Sequence, residues 1–284
     1  MEQDLAGRVA VVTGGAHGVG RAVVDRLAVR GAHVVVNYLR SETAAQETAR
    51  ELGSRGLSVE LVRASIARRE QVSRMFDTVA ERHGRVDVLV NNAASGGFGR
   101  PGELRERDWE RALGTNLKGT LWCSEHAAAL MPDGGVIVNL SSLGSSLAPA
   151  GYAAVGTSKA AVEALTRYLA VEYGPRGIRV NTASAGPLDN GTFERLSPDR
   201  RAREAIVAAT PLGRLGTEDD LADVAAFLVS SAARWITGQV VVADGGLSLG
   251  AALFAPPVDT DCGFPEVAWT RSPTGLVETE TDLR

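Results

Sequence analysis

The chain of 284 residues is short of cysteine, of net positive charge and of long apolar runs, and each shortage removes a class of function. Its two cysteines, Cys123 and Cys262, lie far apart, and neither has a metal-ligand partner at a recognised spacing. His126 follows Cys123 at i+3, but one such pair is not a zinc site and reads as helix packing. A formal net charge of -4 argues against nucleic acid as a partner, which demands a basic face. No run is long and apolar enough to span a membrane. The opening MEQDLAGRVAVVTGG enters a strand at once, without the basic-then-apolar layout of a signal peptide. The expectation is a cytoplasmic protein with reduced thiols and neither nucleic-acid nor membrane partners.

What is present is an ordinary globular composition, 44% hydrophobic and 23% charged, enough for a sizeable core. Short β-branched runs (RVAVVT, HVVVNY, LSVELV, VDVLVNN, GVIVNLS, IRVNTAS, QVVVADGG) alternate with amphipathic segments of helical length. That alternation predicts repeated βα units and a parallel sheet covered on both faces. The fold class is therefore α/β, a single doubly wound Rossmann domain over residues 1–250 with a seven-stranded parallel sheet. Pro187, Gly191, Pro198, Pro211 and Gly213 break the rhythm over 186–216, around the helical pattern PDRRAREAIVAAT. An excursion after a strand's carboxyl end is where such folds carry a substrate-covering lid. From 251 to 284 the pattern fades into an arm, either a disordered end or a strap across a neighbouring subunit.

The first strand runs into TGGAHGVGRAVVDRLAVRGA, so Thr13, Gly14, Gly18, Val19 and Gly20 precede or open a helix. Glycines there let the backbone approach a pyrophosphate at the helix N-terminus, where free N–H groups favour an anion. With a strand before, a helix after and a second strand following, the pattern predicts a dinucleotide site. At the end of strand 2, VVVNYLRSE puts Asn37 where an NAD enzyme keeps a carboxylate for the ribose, with Arg40 and Ser41 just beyond. A guanidinium beside hydroxyls suits a 2′-phosphate, so NADPH is favoured over NADH. The bland alternative, a solvated loop charge at Arg40, stays open.

These motifs resemble those of the short-chain dehydrogenase/reductase superfamily, over nearly the whole chain to about residue 250. TGGAHGVG fits its TGxxxGxG loop and NNAA, with Asn92 and Ala93, its strand-4 motif. TNLKGT carries its active-site asparagine as Asn116, NLSS its serine as Ser142, and Lys159 is its lysine. Three positions depart from the pattern: Ser65 replaces the aspartate that holds adenine, Ala185-Gly186 replaces Pro-Gly, and Val155 stands in place of the YxxxK tyrosine. Valine neither donates a proton nor stabilises an oxyanion.

Tyr152 and Lys159 in GYAAVGTSK have instead the Y-x6-K spacing of enoyl-acyl-carrier-protein reductases, and the surrounding residues are similar to the NADPH-dependent type III (FabL-type) enzymes. If YAAVGTSKAAVEALTRYLA is one helix, residues seven apart share a face, and Tyr152 lies about 4.5 Å along the axis from the lost position. That displacement suits an enoyl thioester, where hydride adds at C3 and charge develops on the thioester oxygen. The resemblance implies reduction of the 2,3 double bond, with Tyr152 hydrogen-bonding the enolate oxygen, Lys159 binding ribose, and Asn116 and Ser142 in support. It further implies cofactor contacts at Ser65, Asn92, Ala93, Gly186 and Asn190, the last at the carboxamide, and a homodimer or homotetramer.

The substrate is then an acyl thioester, on an acidic acyl carrier protein if the lid arginines (Arg195, Arg200, Arg201, Arg203, Arg214) steer one. A solvated face of mixed charge reads equally well. Leu188, Phe193, Leu196 and Ile206 are the candidate acyl contacts. Two rivals remain: a keto or tailoring reductase, which Ser142 favours, and an inactive NADP-binding subunit in which Tyr152 only packs.

Overall fold

The computed structural model describes residues 3–196 and 200–250. The arm at 251–284 with Cys262, residues Pro198 and Asp199, and the side chains of Arg195 and Leu196 lie outside the described residues. Seven strands form one sheet: β1 (Val9–Val12), β2 (His33–Tyr38), β3 (Val59–Arg63), β4 (Val88–Asn91), β5 (Gly135–Ser142), β6 (Ile178–Ala185) and β7 (Val240–Ala243). All pair in parallel in the order β3-β2-β1-β4-β5-β6-β7, as the alternating runs predict. The helices are α1 (Gly18–Val29), α2 (Glu42–Ser54), α3 (Arg69–His83), α4 (Glu106–Ala112), α5 (Thr120–Ala129), α6 (Ala153–Tyr173), α7 (Gly191–Leu196), α8 (Arg200–Ala209) and α9 (Glu218–Val229).

The two-residue period of each strand divides its side chains between two cores. Ala10, Val12, Val34, Val36, Val90 and Val138 pack on one face against Val23, Val24 and Leu27 of α1 and Leu221, Ala225 and Leu228 of α9. Val11, Val35, Leu89, Ile137 and Val180 pack on the other against Val72, Met75 and Phe76 of α3 and against α5 and α6. Strands buried on both faces must be apolar throughout, which is why they read as uninterrupted Val/Ile/Leu runs. Cys123 sits wholly inside the second core, where burial pushes its thiol pKa up, and His126 stacks on Phe76 at 5.9 Å.

Because β1 lies between β2 and β4, the chain reverses direction across the sheet there and leaves a crevice at the carboxyl ends of the strands. Beneath that crevice a buried polar row crosses the sheet at one level. Asn91 Nδ2 donates to Asn139 Oδ1 at 2.9 Å and Asn139 Nδ2 to Thr166 Oγ1 at 2.8 Å, while Thr166 and Thr182 share a hydroxyl bond of 2.8 Å. Asn91 faces Asn139, and Asn139 faces Thr182, in the strand register, so a one-residue slip would orphan the whole row.

Two features differ from the expected elements. The segment Leu113–Gly119, between α4 and α5, is a π-helical turn, a widened coil that puts Asn116 out of ordinary helical phase. The lid carries two helices rather than one, α7 and α8. Its foot is fastened where Gly216 N donates to Pro187 O at 3.0 Å and Asp189 N to Gly216 O at 2.8 Å.

Candidate active site

Two clefts adjoin at the carboxyl ends of the strands, and Val19, Asn92, Ala94 and Asn190 line both. The first, of about 720 Å³, is bordered by Gly14, Gly18 and Val19 of the loop into α1, by Asn37, Arg40 and Ser41 after β2, by Ser65, and by Ala93. Gly14 and Gly18 adopt φ of +63° and +61°, a left-handed backbone that a side chain would strain. A Cβ on Gly14 would also lie 3.0 Å from the Cα of Ala93. The N-cap of α1, His17, makes no side-chain cap, so the first-turn N–H groups remain for an anion.

Four of the expected contact residues hold the loops together, Asn37 and Asn92 from the cleft border and Thr13 and Gly20 from behind it. Thr13 is fully buried, its hydroxyl accepting from Asn92 N at 3.0 Å and Ala93 N at 3.1 Å. The Asn92 amide donates to the carbonyls of Thr13 and Gly14, both at 2.9 Å. Gly20 lines neither cleft; a Cβ there would lie 2.4 Å from Gly14 O and from Asn92 Nδ2, so it is glycine to let this clamp close. Asn37 borders the cleft with only 2% of its surface exposed. Its side chain donates to Ala64 O at 3.0 Å and accepts from Gly14 N at 3.4 Å, which makes it a brace for the glycine loop rather than a sensor of the ribose. Gly186 lines the second cleft, where a Cβ would meet Asp244 at 2.7 Å.

Arg40 is exposed at the mouth with no hydrogen bond or ion pair among the described residues, and Ser41, the N-cap of α2, makes no side-chain cap bond. A free guanidinium, a free hydroxyl and a helix N-terminus thus converge, which fits a phosphate. Arg40→Ala is expected to raise KM for NADPH about tenfold and to leave that for NADH nearly unchanged, measured by steady-state kinetics with each cofactor. Arg111 and Glu218 also line this cleft. Neither was foreseen, because they enter from α4 and α9, far from any motif.

The second cleft, of about 700 Å³, brings Tyr152, Lys159 and Ser142 together and is walled by Leu143, Leu147, Pro149, Leu188, Phe193, Ile206 and Leu247. Three of the four expected acyl contacts are on that wall; Leu196 lies outside the described side chains. Tyr152 is the N-cap of α6 rather than an interior residue, with φ −108° and ψ 8°. Its carbonyl nevertheless accepts from Gly156 N at 2.7 Å, which phases it with the helix that carries Lys159.

The Tyr152 ring lies between Phe98, stacked at 5.9 Å, and Gly144, where a Cβ would come within 2.4 Å of the ring. Burial raises the phenol's pKa, and a hydrogen bond with Ser142 partly offsets this, so the phenol keeps its proton at neutral pH. Val155, 7% exposed, packs where a Cβ on Gly96 would lie 2.4 Å from its methyl group. Lys159 donates from Nζ to Leu140 O at 2.6 Å. Desolvation lowers its pKa to about 8 despite the opposing charge of Glu163.

Asn116 does not reach either cleft. It is 1% exposed, accepting from Ser95 N and donating to Ser158 Oγ, both at 2.8 Å, and so ties the strand-4 loop to α6. Among the described lid cations, Arg200 pairs with Glu204, Arg203 with Asp189 and Arg214 with Asp220.

Comparison with known proteins adds to this geometry. Residues 14–248 match the family model described as Enoyl-(Acyl carrier protein) reductase. The chain is 38% identical over 266 residues, 92% of its length and 94% of the relative's, to a 1-cyclohexenylcarbonyl-CoA reductase of Streptomyces collinus. Among solved structures, a gluconate 5-dehydrogenase from Burkholderia cenocepacia J2315 in complex with NADP and tartrate is similar at a TM-score of 0.82 and 30% identity, covering 87% of this chain and 98% of that one. A blue fluorescent protein from a metagenomic library, in complex with NADPH, is similar at a TM-score of 0.80 and 35% identity, covering 86% and 99%.

Proposed function

Since the chain belongs to the short-chain dehydrogenase/reductase superfamily and is an NAD(P)H-dependent oxidoreductase, we propose that it uses NADPH to reduce the 2,3 double bond of an enoyl thioester. The observation that carries this reading is the second cleft: Tyr152 and Lys159 border one apolar chamber, while the residue four before the lysine is a packed valine. The first cleft has the glycine loop, the open helix N-terminus and the Arg40–Ser41 pair that a dinucleotide 2′-phosphate needs.

When bound, the cofactor supplies the hydride that adds at C3. The protonated Tyr152 phenol donates a hydrogen bond to the thioester carbonyl oxygen. That bond strengthens as negative charge gathers there, which lowers the barrier. The Ser142 hydroxyl borders the same chamber and acts to lower the phenol's pKa. The Lys159 ammonium lies in the same chamber, contributes positive charge there and is the group that would hold ribose hydroxyls. C2 takes its proton from the phenol or through water.

We read the carrier as coenzyme A rather than a protein. Arg200, Arg203 and Arg214 of the lid are already paired, and the Streptomyces collinus relative is named for a CoA thioester.

The test is NADPH oxidation with a trans-2-enoyl-CoA, the same acyl group on an acyl carrier protein, and the matching 3-ketoacyl-CoA. Turnover of the enoyl-CoA, with a saturated product two mass units heavier by mass spectrometry and keto turnover at least about a hundredfold slower, is the expected result. Preference for the keto substrate would replace this reading with the carbonyl reductase that the Ser142–Tyr152 pair also suits.

A further inference from the structure

Away from both clefts, at the amino ends of the strands, three side chains from three elements converge. His33 opens β2, Glu60 lies in the edge strand β3, and His83 is the last residue of α3. One donor atom from each lies within 4.8 Å of the other two. His83 Nε2 is 2.8 Å from Glu60 Oε2, and His33 Nε2 is 3.5 Å from the same oxygen.

His33 Nε2 is buried and has no hydrogen-bond partner. Its Nδ1 is engaged with Ser58 Oγ at 2.6 Å, and with the proton there the Nε2 lone pair points at a carboxylate oxygen. In that tautomer two lone pairs face each other without a proton between them, and a cation placed there would satisfy both.

We propose that His33, Glu60 and His83 form a binding site for a divalent first-row transition cation, with zinc the best match. Two imidazoles and one carboxylate are a zinc donor set, and tetrahedral bonds of about 2.1 Å need donors about 3.4 Å apart, a spacing that the observed separations bracket. The outer groups are also in place. Ser58 fixes the His33 ring, and the Arg82 guanidinium holds Glu60 Oε1 and leaves Oε2 facing the two imidazoles. His83 donates to Glu60 in the absence of metal, so binding moves that proton to its Nδ1 or to solvent.

The partial exposure of the three side chains, 29%, 19% and 18%, leaves a fourth position for water. Arg82 is the competing cation, and at 55% exposure it is free to swing outward. The site would clamp the outer strand of the sheet to β2 and to the end of α3, where it bears on stability rather than on turnover.

The experiment uses tag-free, chelator-stripped full-length protein. Zinc is titrated by calorimetry and cobalt by visible absorption, with unfolding followed by heating. One equivalent bound per chain, tetrahedral cobalt bands, and an unfolding midpoint raised by roughly 5 °C at a hundredfold excess over Kd are the expected results. His33→Ala and His83→Ala are each expected to weaken binding at least about tenfold, whereas His126→Ala, on α5 stacked against Phe76, leaves it unchanged. Absence of stoichiometric binding, or wild-type affinity in either the His33 or the His83 variant, overturns the proposal. Should circular dichroism show that either variant misfolds, the wild-type cobalt spectrum decides, and octahedral bands overturn it.

Discussion

Tyr152→Phe is expected to lower kcat on an enoyl thioester by about a hundredfold to a thousandfold while leaving NADPH affinity nearly unchanged. The variant keeps the ring, and with it the stack on Phe98 and the fit against Gly144, so only the hydroxyl is lost. A donor whose bond tightens as charge reaches the thioester oxygen acts on the transition state, so its removal appears in kcat more than in KM. Steady-state kinetics with a parallel cofactor titration measures both. A kcat unchanged in the variant would remove Tyr152 from the mechanism and leave Ser142 Oγ as the donor.

Lys159→Met is expected to have two effects of different kinds. At pH 7 it lowers kcat/KM by about a hundredfold or more, through loss of the positive charge in the chamber. The second effect is on stability. Burial holds the lysine's pKa at about 8, against 10.5 for the free side chain. Between those values the unfolded chain holds a proton that the folded one has shed, so wild-type stability rises with pH across the window. Below about pH 8 both states are charged, and the folded state carries the full desolvation cost. The variant lacks this rise, so the stability difference between wild type and variant shifts in favour of wild type by about 3 kcal/mol from pH 7 to pH 10.5. Urea denaturation of both proteins across that range checks it. A constant difference would mean that Nζ is far better solvated than its single bond to Leu140 O implies.

The architecture was legible because a parallel sheet buried on both faces leaves a simple record: seven β-branched runs separated by helical lengths. The clefts were less legible, for a physical reason. A motif locates a residue near a site but does not say which way its side chain turns. Thr13, Gly20 and Asn116 line neither cleft and hold backbone together behind them, and Asn92 clamps backbone while bordering both. Phe98, Arg111 and Glu218 meet there only through the fold, from segments with no local pattern. For Tyr152 the sequence argument assumed a helical interior. The seven-residue spacing still works because a cap residue whose carbonyl accepts the first helical bond is already in phase.

The fastened foot of the lid has a consequence for how such a protein can diversify. The excursion leaves and rejoins the body at one place, between Pro187 and Gly216, and the bonds there are made by backbone rather than by particular side chains. Its interior can therefore lengthen or change composition at little entropic cost, since closure depends only weakly on loop length. Tyr152 and Lys159 stand on α6, outside that loop, and are untouched by its rewriting. The lid is thus an exchangeable cassette, and new substrate specificities can arise on this scaffold without the reaction being reinvented.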